Sequence, residues 1–321
     1  MGIWNFLMAF AKNLYFAYNG SAMVSLGKTS DKSIETAWLR LENGWSGKAA
    51  LYRAPRRKFS QNDWAQCLSQ PNLLFQDVEK ILKIGGQNCV AVKNLQIRHT
   101  RLKVVLKQLD TGVGLRQFFR SFRPGKALRN FRTAVKLINF GLPVTAPFAA
   151  LQQRRRLLTK QSIYITEYFP DSSDLYSFIS KRLSSTKPAD LFALKRHLSH
   201  QLAYLLASLH RNGLWHRDSK ASNFVVCKDG HDKYRILLAD MDGIKHYLPW
   251  HINRQFRSLW QLAASLMSVS VINRTDYWRT FIAYCNLIGL EPSQRRPLFR
   301  RLKRRAQAKR LRKMAAVVIN R

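Results

Sequence analysis

The period of the hydrophobic positions changes along the chain. Residues 78–84, 89–97 and 102–109 are short runs rich in aliphatic side chains, separated by Gly85-Gly86-Gln87-Asn88 and by a second polar break. Runs of this length bounded by glycine and asparagine predict strands of a small antiparallel sheet. Between residues 115 and 140 the apolar positions recur at helical spacing (Phe131, Val135, Ile138), interrupted by Pro124-Gly125 and stopped at Gly141-Leu142-Pro143. Residues 162–168 read as another strand. Residues 191–212 form the strongest helical pattern, with Leu194, Leu198, Leu202, Leu205, Leu206 and Leu209 in one stripe and Gly213 as its stop. A hairpin follows (224–227 and 234–238, turning near Asp229-Gly230), and helices run from about Gln255 to the end. A sheet-rich first part and a helical second part predict an α+β chain of two lobes around a cleft.

The segments before this pattern are less regular. Residues 26–75 are mixed, with Gly44, Gly47 and Pro55 as breakers and a basic cluster at Arg53, Arg56, Arg57 and Lys58, and read as an extension with some strand character. Residues 1–25 are apolar and aromatic in patches, but Lys12 and Asn13 interrupt them short of the ~20 apolar residues that a spanning helix needs. They lack the basic start and small-residue cleavage site of a signal peptide. An amphipathic helix fits, lying on a membrane or packing on the protein. The expected organisation is an extension at 1–75, a nucleotide-binding lobe at 76–169 and a catalytic lobe at 170–321.

Composition adds one unusual fact. Among 321 residues, 55 Lys and Arg face 18 Asp and Glu, a formal charge of +37. Such an excess implies a polyanionic partner: nucleic acid, anionic lipid headgroups, or a phosphorylated or acidic sugar. The four cysteines (Cys67, Cys89, Cys227, Cys285) lack the paired spacing of a zinc site or a disulfide framework, so a reducing compartment is expected.

The chemistry concentrates in His216-Arg217-Asp218-Ser219-Lys220-Ala221-Ser222-Asn223 and, after the hairpin, Asp240-Met241-Asp242-Gly243. A carboxylate, an ammonium and a carboxamide on one tight loop, with an acidic loop close by, can move a phosphoryl group. Asp218 can accept the proton of an attacking hydroxyl, and Lys220 can neutralise charge on the transferring phosphate. Asn223 and Asp240 can hold magnesium, which prefers hard oxygen ligands. Asp242 serves either a second magnesium or the turn before Gly243. His216 and Arg217 are expected to hold the loop.

The helix at 191–212, the His-Arg-Asp loop, Asn223 and the Asp240 loop resemble a protein-kinase-like fold, and within it the bacterial lipopolysaccharide core heptose and Kdo kinase family. Phe140-Gly141-Leu142-Pro143-Val144 resembles that family's link after the first-lobe helix, the metal loop reads Asp-x-Asp-Gly, and no Ala-Pro-Glu segment follows. The resemblance covers about residues 78–290. It implies ATP and Mg2+ as cofactors, a lipopolysaccharide core sugar as acceptor, and a peripheral cytoplasmic location at the inner face of the inner membrane. It also requires a strand lysine for the nucleotide phosphates. Lys93 in Val90-Ala91-Val92-Lys93 matches by letter, whereas Lys107 in Val104-Val105-Leu106-Lys107 matches by strand order and is preferred. Gly85 and Gly86 would cover the phosphates or simply turn a hairpin, and Glu167 to Phe169 would border the adenine. Gly112-Val113-Gly114 lacks the rest of a glycine-rich pattern. The helix glutamate that should pair with the strand lysine is missing, for residues 127–139 contain no acid and Asn130-Phe131 stands in the expected place. A serine/threonine protein kinase and a catalytically weak scaffold are the competing readings.

Between Arg295 and Lys313 lie eleven basic residues interleaved with Leu298, Phe299, Leu302 and Leu311. They predict a helix with an apolar seam and a cationic face suited to anionic headgroups, each charge worth on the order of 1 kcal/mol near the surface. Arg116, Arg120, Arg123, Lys126, Arg129, Arg132 and Arg154 to Arg156 form a second basic region. No recognition fold or stacking platform for nucleic acid is visible. A phosphorylated glycolipid acceptor accounts for both regions.

Overall fold

A computed structural model describes residues 34–51, 59–85, 88–110, 122–156, 158–229, 233–246 and 253–319. The expected helix at 1–25, the Arg53 to Lys58 cluster, Gly86, the Gly112-Val113-Gly114 segment, Arg116 and Arg120 lie outside these residues. The chain divides into two compact units, one of residues 30–170 and one containing residues 171–321.

The first unit is built on a seven-stranded antiparallel sheet: β1 (Glu35–Arg40), β2 (Trp45–Leu51), β3 (Lys80–Gly85), β4 (Asn88–Ile97), β5 (Thr100–Asp110), β6 (Pro147–Arg155) and β7 (Leu158–Glu167). Its spatial order is β1-β2-β6-β7-β5-β4-β3. Helix α1 (Gln61–Cys67) begins with a capping box in which Ser60 and Asp63 bond each other's backbone, satisfying two otherwise orphaned donors. Helix α2 (Lys126–Asn139) follows β5.

Each face of the sheet buries its own cluster, as the two-residue period of strands requires. One cluster joins Trp64 and Leu68 of the α1 region to Trp45, Ala49, Val104, Leu106, Leu151, Ile163 and Ile165. The other joins Leu128 and Phe131 of α2 to Ala50, Leu109, Ala150 and Tyr164. Residues 34–51 and 59–75 are therefore no extension: β2 is hydrogen-bonded to β6 from Trp45↔Gln153 to Ala49↔Ala149, and α1 closes one face. The physical reason is pairing across a hundred residues of sequence, which no local pattern carries. Strand β6 carries no strand signal in the sequence, because most of its residues are buried and show no alternation.

The second unit contains β8 (Ser173–Asp174), α3 (Pro188–Arg211), β9 (Leu214–His216), β10 (Phe224–Lys228), β11 (Tyr234–Leu238), β12 (Ile244–His246), α4 (Asn253–Leu266), α5 (Arg274–Ile288) and α6 (Pro292–Ile319). Leu198, Leu202, Leu205, Leu206 and Leu209 of α3 are buried, as their stripe predicts. Lys195 of α3 pairs with Asp276 of α5 at 2.9 Å, and His210 bonds the Tyr284 hydroxyl at 2.7 Å. Two small ladders frame the loops of interest: β10 pairs antiparallel with β11, and β9 with β12.

Candidate active site

The two ladders explain why residues distant in sequence meet. Phe224 lies opposite Leu238, so Asn223 just before β10 and Asp240 just after β11 emerge at the same end of the hairpin. The Ala239 amide donates to the Asn223 carbonyl at 3.0 Å. On the other ladder His216 lies opposite Ile244, and the Arg217 amide reaches the Gly243 carbonyl at 2.7 Å. Asp218, Lys220, Asn223, Asp240 and Asp242 are thus drawn together by main-chain pairing within one unit.

His216 is the pin between the two loops. Its Nδ1 accepts the Asp218 amide at 3.1 Å, so the ring proton sits on Nε2, which donates to the Asp240 carbonyl at 2.9 Å. The ring is fully buried, and that burial lowers its pKa below the ordinary histidine value. A neutral imidazole in one tautomer satisfies both loops at once. Gly243 follows from this: a Cβ there would stand 2.2 Å from the His216 ring. Glycine is required for close approach.

The candidate functional side chains sit around this pin. Lys220 Nζ lies 3.2 Å from Asp218 Oδ2, with both side chains about half exposed (47% and 48%). Asn223 is buried, and its Nδ2 donates to the Asp218 carbonyl at 2.7 Å. With the amide nitrogen committed, its Oδ1 is the atom left for a cation. Asp240 Oδ1 accepts the Asp242 amide at 3.2 Å, so the turn is capped by Asp240. The Asp242 carboxylate is half exposed, 3.9 Å from Arg217. Among the described residues no group of three or more His, Cys, Asp or Glu side chains is arranged to hold a metal ion by itself. Two carboxylates and a carboxamide nonetheless suit magnesium, which retains waters and substrate oxygens in its shell.

Three residues that the sequence reading passed over fasten the loop from α4. Ser258 accepts the His216 amide at 3.1 Å and donates to its carbonyl at 3.2 Å, while its own carbonyl accepts the Ser219 hydroxyl at 2.6 Å. Gln261 Oε1 accepts the Ser219 amide at 3.2 Å, and Ser265 Oγ accepts the Ala221 amide at 2.9 Å. Their spacing places all three on one helix face. The signal was present, since polar residues on the stripe that faces the core must find partners.

In the first unit, strand alternation separates the two candidate lysines. Lys93 lies opposite Val104, whose side chain belongs to the α1-side cluster. Its ammonium is bonded to the carbonyls of Gln76 at 2.6 Å and Leu73 at 3.3 Å. Lys107 shares the register of Leu109, on the α2 face, opposite Tyr164 of β7. Glu79, before β3, is bonded to Lys103 and Asn94. Asn130 is buried on α2, with Nδ2 unbonded among the described residues. Gly85 ends β3, paired with Asn88, with no atom within 4 Å of a would-be Cβ. The Glu167 amide bonds the Ala146 carbonyl at 3.0 Å, and Phe169 follows at the end of the unit.

Over 74% of this chain and 92% of the other, the structure is similar to that of WaaP in complex with acyl carrier protein, with a TM-score of 0.53 and 17% identity. That likeness establishes a kinase-like fold: an antiparallel-sheet first part and a helical second part. The profile of the lipopolysaccharide kinase (Kdo/WaaP) family matches residues 86–284, from just after β3 to within α5. Because that match spans well over half of the sequence and includes every loop described above, the chain belongs to the lipopolysaccharide kinase (Kdo/WaaP) family.

Proposed function

We propose that this kinase transfers the γ-phosphate of ATP to a hydroxyl of a lipopolysaccharide core sugar, heptose or Kdo, with magnesium. The observation that carries the reading is the His216 pin, which holds the exposed Asp218–Lys220 pair and the Asn223 and Asp240 oxygens in one fixed arrangement. Such preorganisation is what phosphoryl transfer asks of a protein.

The roles follow from the donors and acceptors. Asp218 takes the proton from the acceptor hydroxyl as its oxygen forms the new bond to phosphorus and the bond to ADP breaks. Lys220, 3.2 Å from that carboxylate, draws the phosphoryl oxygens to the place where the hydroxyl is activated. Asn223 Oδ1, Asp240 and Asp242 would hold magnesium, which supplies charge neutralisation on the phosphates. Lys107 is the anchor for the nucleotide phosphates, because the Lys93 ammonium is committed to main-chain carbonyls on the other face. Gly85 and Gly86 would let backbone amides approach the phosphates, and Glu167 to Phe169 would border the base. The cation-rich α6 supports a peripheral position on an anionic inner-membrane face. Among the described residues no helix is long and apolar enough to cross a membrane.

The deciding experiment measures labelled phosphate passing from ATP to purified core oligosaccharide with and without magnesium, alongside Asp218→Ala. Label on the sugar that disappears in the variant is the expected result. Label on protein would favour a protein kinase. Absence of transfer to any acceptor would favour a scaffold, consistent with the acid-free α2.

A further inference from the structure

Helix α6 carries eleven Lys and Arg between Arg295 and Lys313 without an acid in that stretch. It is docked by its own seam: Leu302 and Ala306 are buried, and Arg310 Nη1 donates to the Met267 carbonyl just beyond α4 at 2.6 Å. That docking fixes the register of Lys309, whose ammonium lies 5.5 Å from the centre of the Trp260 ring. Trp260 sits on α4 between Ser258 and Gln261, the residues that hold the catalytic loop. On the same helix Arg257 places its guanidinium 5.8 Å from the ring of Trp215, the residue before His216. Two aromatic rings adjoining the loop therefore each hold a cation beside it.

The charges around Lys309 converge on one place. Burial lowers its pKa, Asp218 acts in the opposite sense, and Arg257, Lys220 and Lys313 add to the lowering. Lys309 thus feels three other cations, Arg257, Lys220 and Lys313, together with the Asp218 carboxylate, which is itself 3.2 Å from Lys220, and packing alone does not favour bringing like charges together. An anion brought by a ligand would relieve their mutual repulsion.

Resting on the acceptor reading above, we infer that Lys309, Arg257 and Lys313 form a subsite, beside the catalytic Lys220, for an oxyanion carried by the acceptor, a phosphate or carboxylate on the sugar next to the hydroxyl being phosphorylated. The site would make a charged acceptor preferred over its neutral analogue and would orient the hydroxyl toward Asp218. Lys309 is a binding group in this scheme and takes no part in proton transfer.

The test compares initial rates on three acceptors: intact core oligosaccharide, the same material stripped of phosphate, and the same material with its carboxylates reduced. Lys309→Met keeps the aliphatic stem against Trp260 and removes the charge. It should raise the KM for intact acceptor about tenfold, the loss of one charge-assisted contact, with a much smaller change in kcat and in the KM for ATP. Lys309→Arg should recover most of the loss. The stripped acceptor on which Lys309→Met and wild type become equal identifies the oxyanion. An unchanged KM in Lys309→Met, or the same loss on all three acceptors, overturns the subsite while leaving the kinase reading intact. If the wild type phosphorylates none of the three, the acceptor reading fails, and calorimetric titration of intact oligosaccharide decides the subsite alone. Binding about tenfold weaker in Lys309→Met sustains it; equal binding, or none, overturns it.

Discussion

The loop region of the second unit and the sheet of the first place their polar side chains by different physical means. Around His216 nearly every candidate group is fixed by a hydrogen bond to main chain: Asp218 through its amide, Asn223 through its carboxamide, Asp240 through its carbonyl. On the sheet, Lys107 takes its direction from strand register, one position in an alternation that also decides where Leu109 and Tyr164 point. A hydrogen-bonded loop carries its geometry in a short contiguous motif. A strand residue owes its direction to neighbours far away in sequence.

That contrast can be broken most severely at Asp218. Asp218→Asn should lower kcat by about a thousandfold or more through loss of the base, with little change in melting temperature because the side chain is half exposed. Steady-state kinetics and a thermal scan read both. The next largest effect separates the two lysines. Lys107→Met should raise the KM for ATP and cut kcat/KM by about a hundredfold, the scale of one lost contact to a charged phosphate and its positioning. Lys93→Met should leave ATP kinetics near wild type and instead cost about 1 kcal/mol of stability, because Gln76 and Leu73 lose their donor. The reverse pattern would reassign the anchor to Lys93.

Gly243→Ala tests the pin itself. The added methyl meets the His216 ring, so a destabilisation of about 1–3 kcal/mol, as for overpacked cores, should accompany a drop in kcat. Ser258→Ala should cost about 2 kcal/mol, since it strands the buried amide and carbonyl of His216, and Ser258→Thr should recover part of it. Denaturant melts measure both. A pH dependence follows from burial. Burial pushes His210 down to about 3, so the unfolded chain binds a proton below pH ~6.5 that the folded chain refuses. The stability that His210 contributes is present above pH ~6.5 and falls as the pH drops toward 3, by at most about 1.4 kcal/mol per unit. His210→Gln should flatten that slope in melts at pH 7, 6 and 5.

The same contrast explains how much could be read from the residues alone. The α3 leucine stripe, the 224–238 hairpin and the His216 to Asn223 loop were legible because their determinants are local: periodicity, turn residues, a fixed spacing. Strands β1 and β2 were not, for their pairing partner is β6, about a hundred residues on. Strand β6 was missed because burial on both faces erased the alternation that marks a strand. Lys93 resembled the anchor by its letters, and only the pairing Lys93↔Val104 shows that it points to the α1 side. The role of Ser258, Gln261 and Ser265 was concealed by their ordinariness, although polar residues at a helix's buried spacing were the available signal.

Helix α4 also bears on how this unit can come apart. The β9–β12 ladder, the His216 ring and the Ser258 hydroxyl all close on the same few residues. An excursion that carries Asp240 away from Asp218 must rupture them together, so the two loops share one opening event instead of fraying separately. In exchange experiments the amides of His216, Arg217, Asp218 and Ser219 should trade their protons for deuterium at a common rate, and Ser258→Ala should accelerate all four alike.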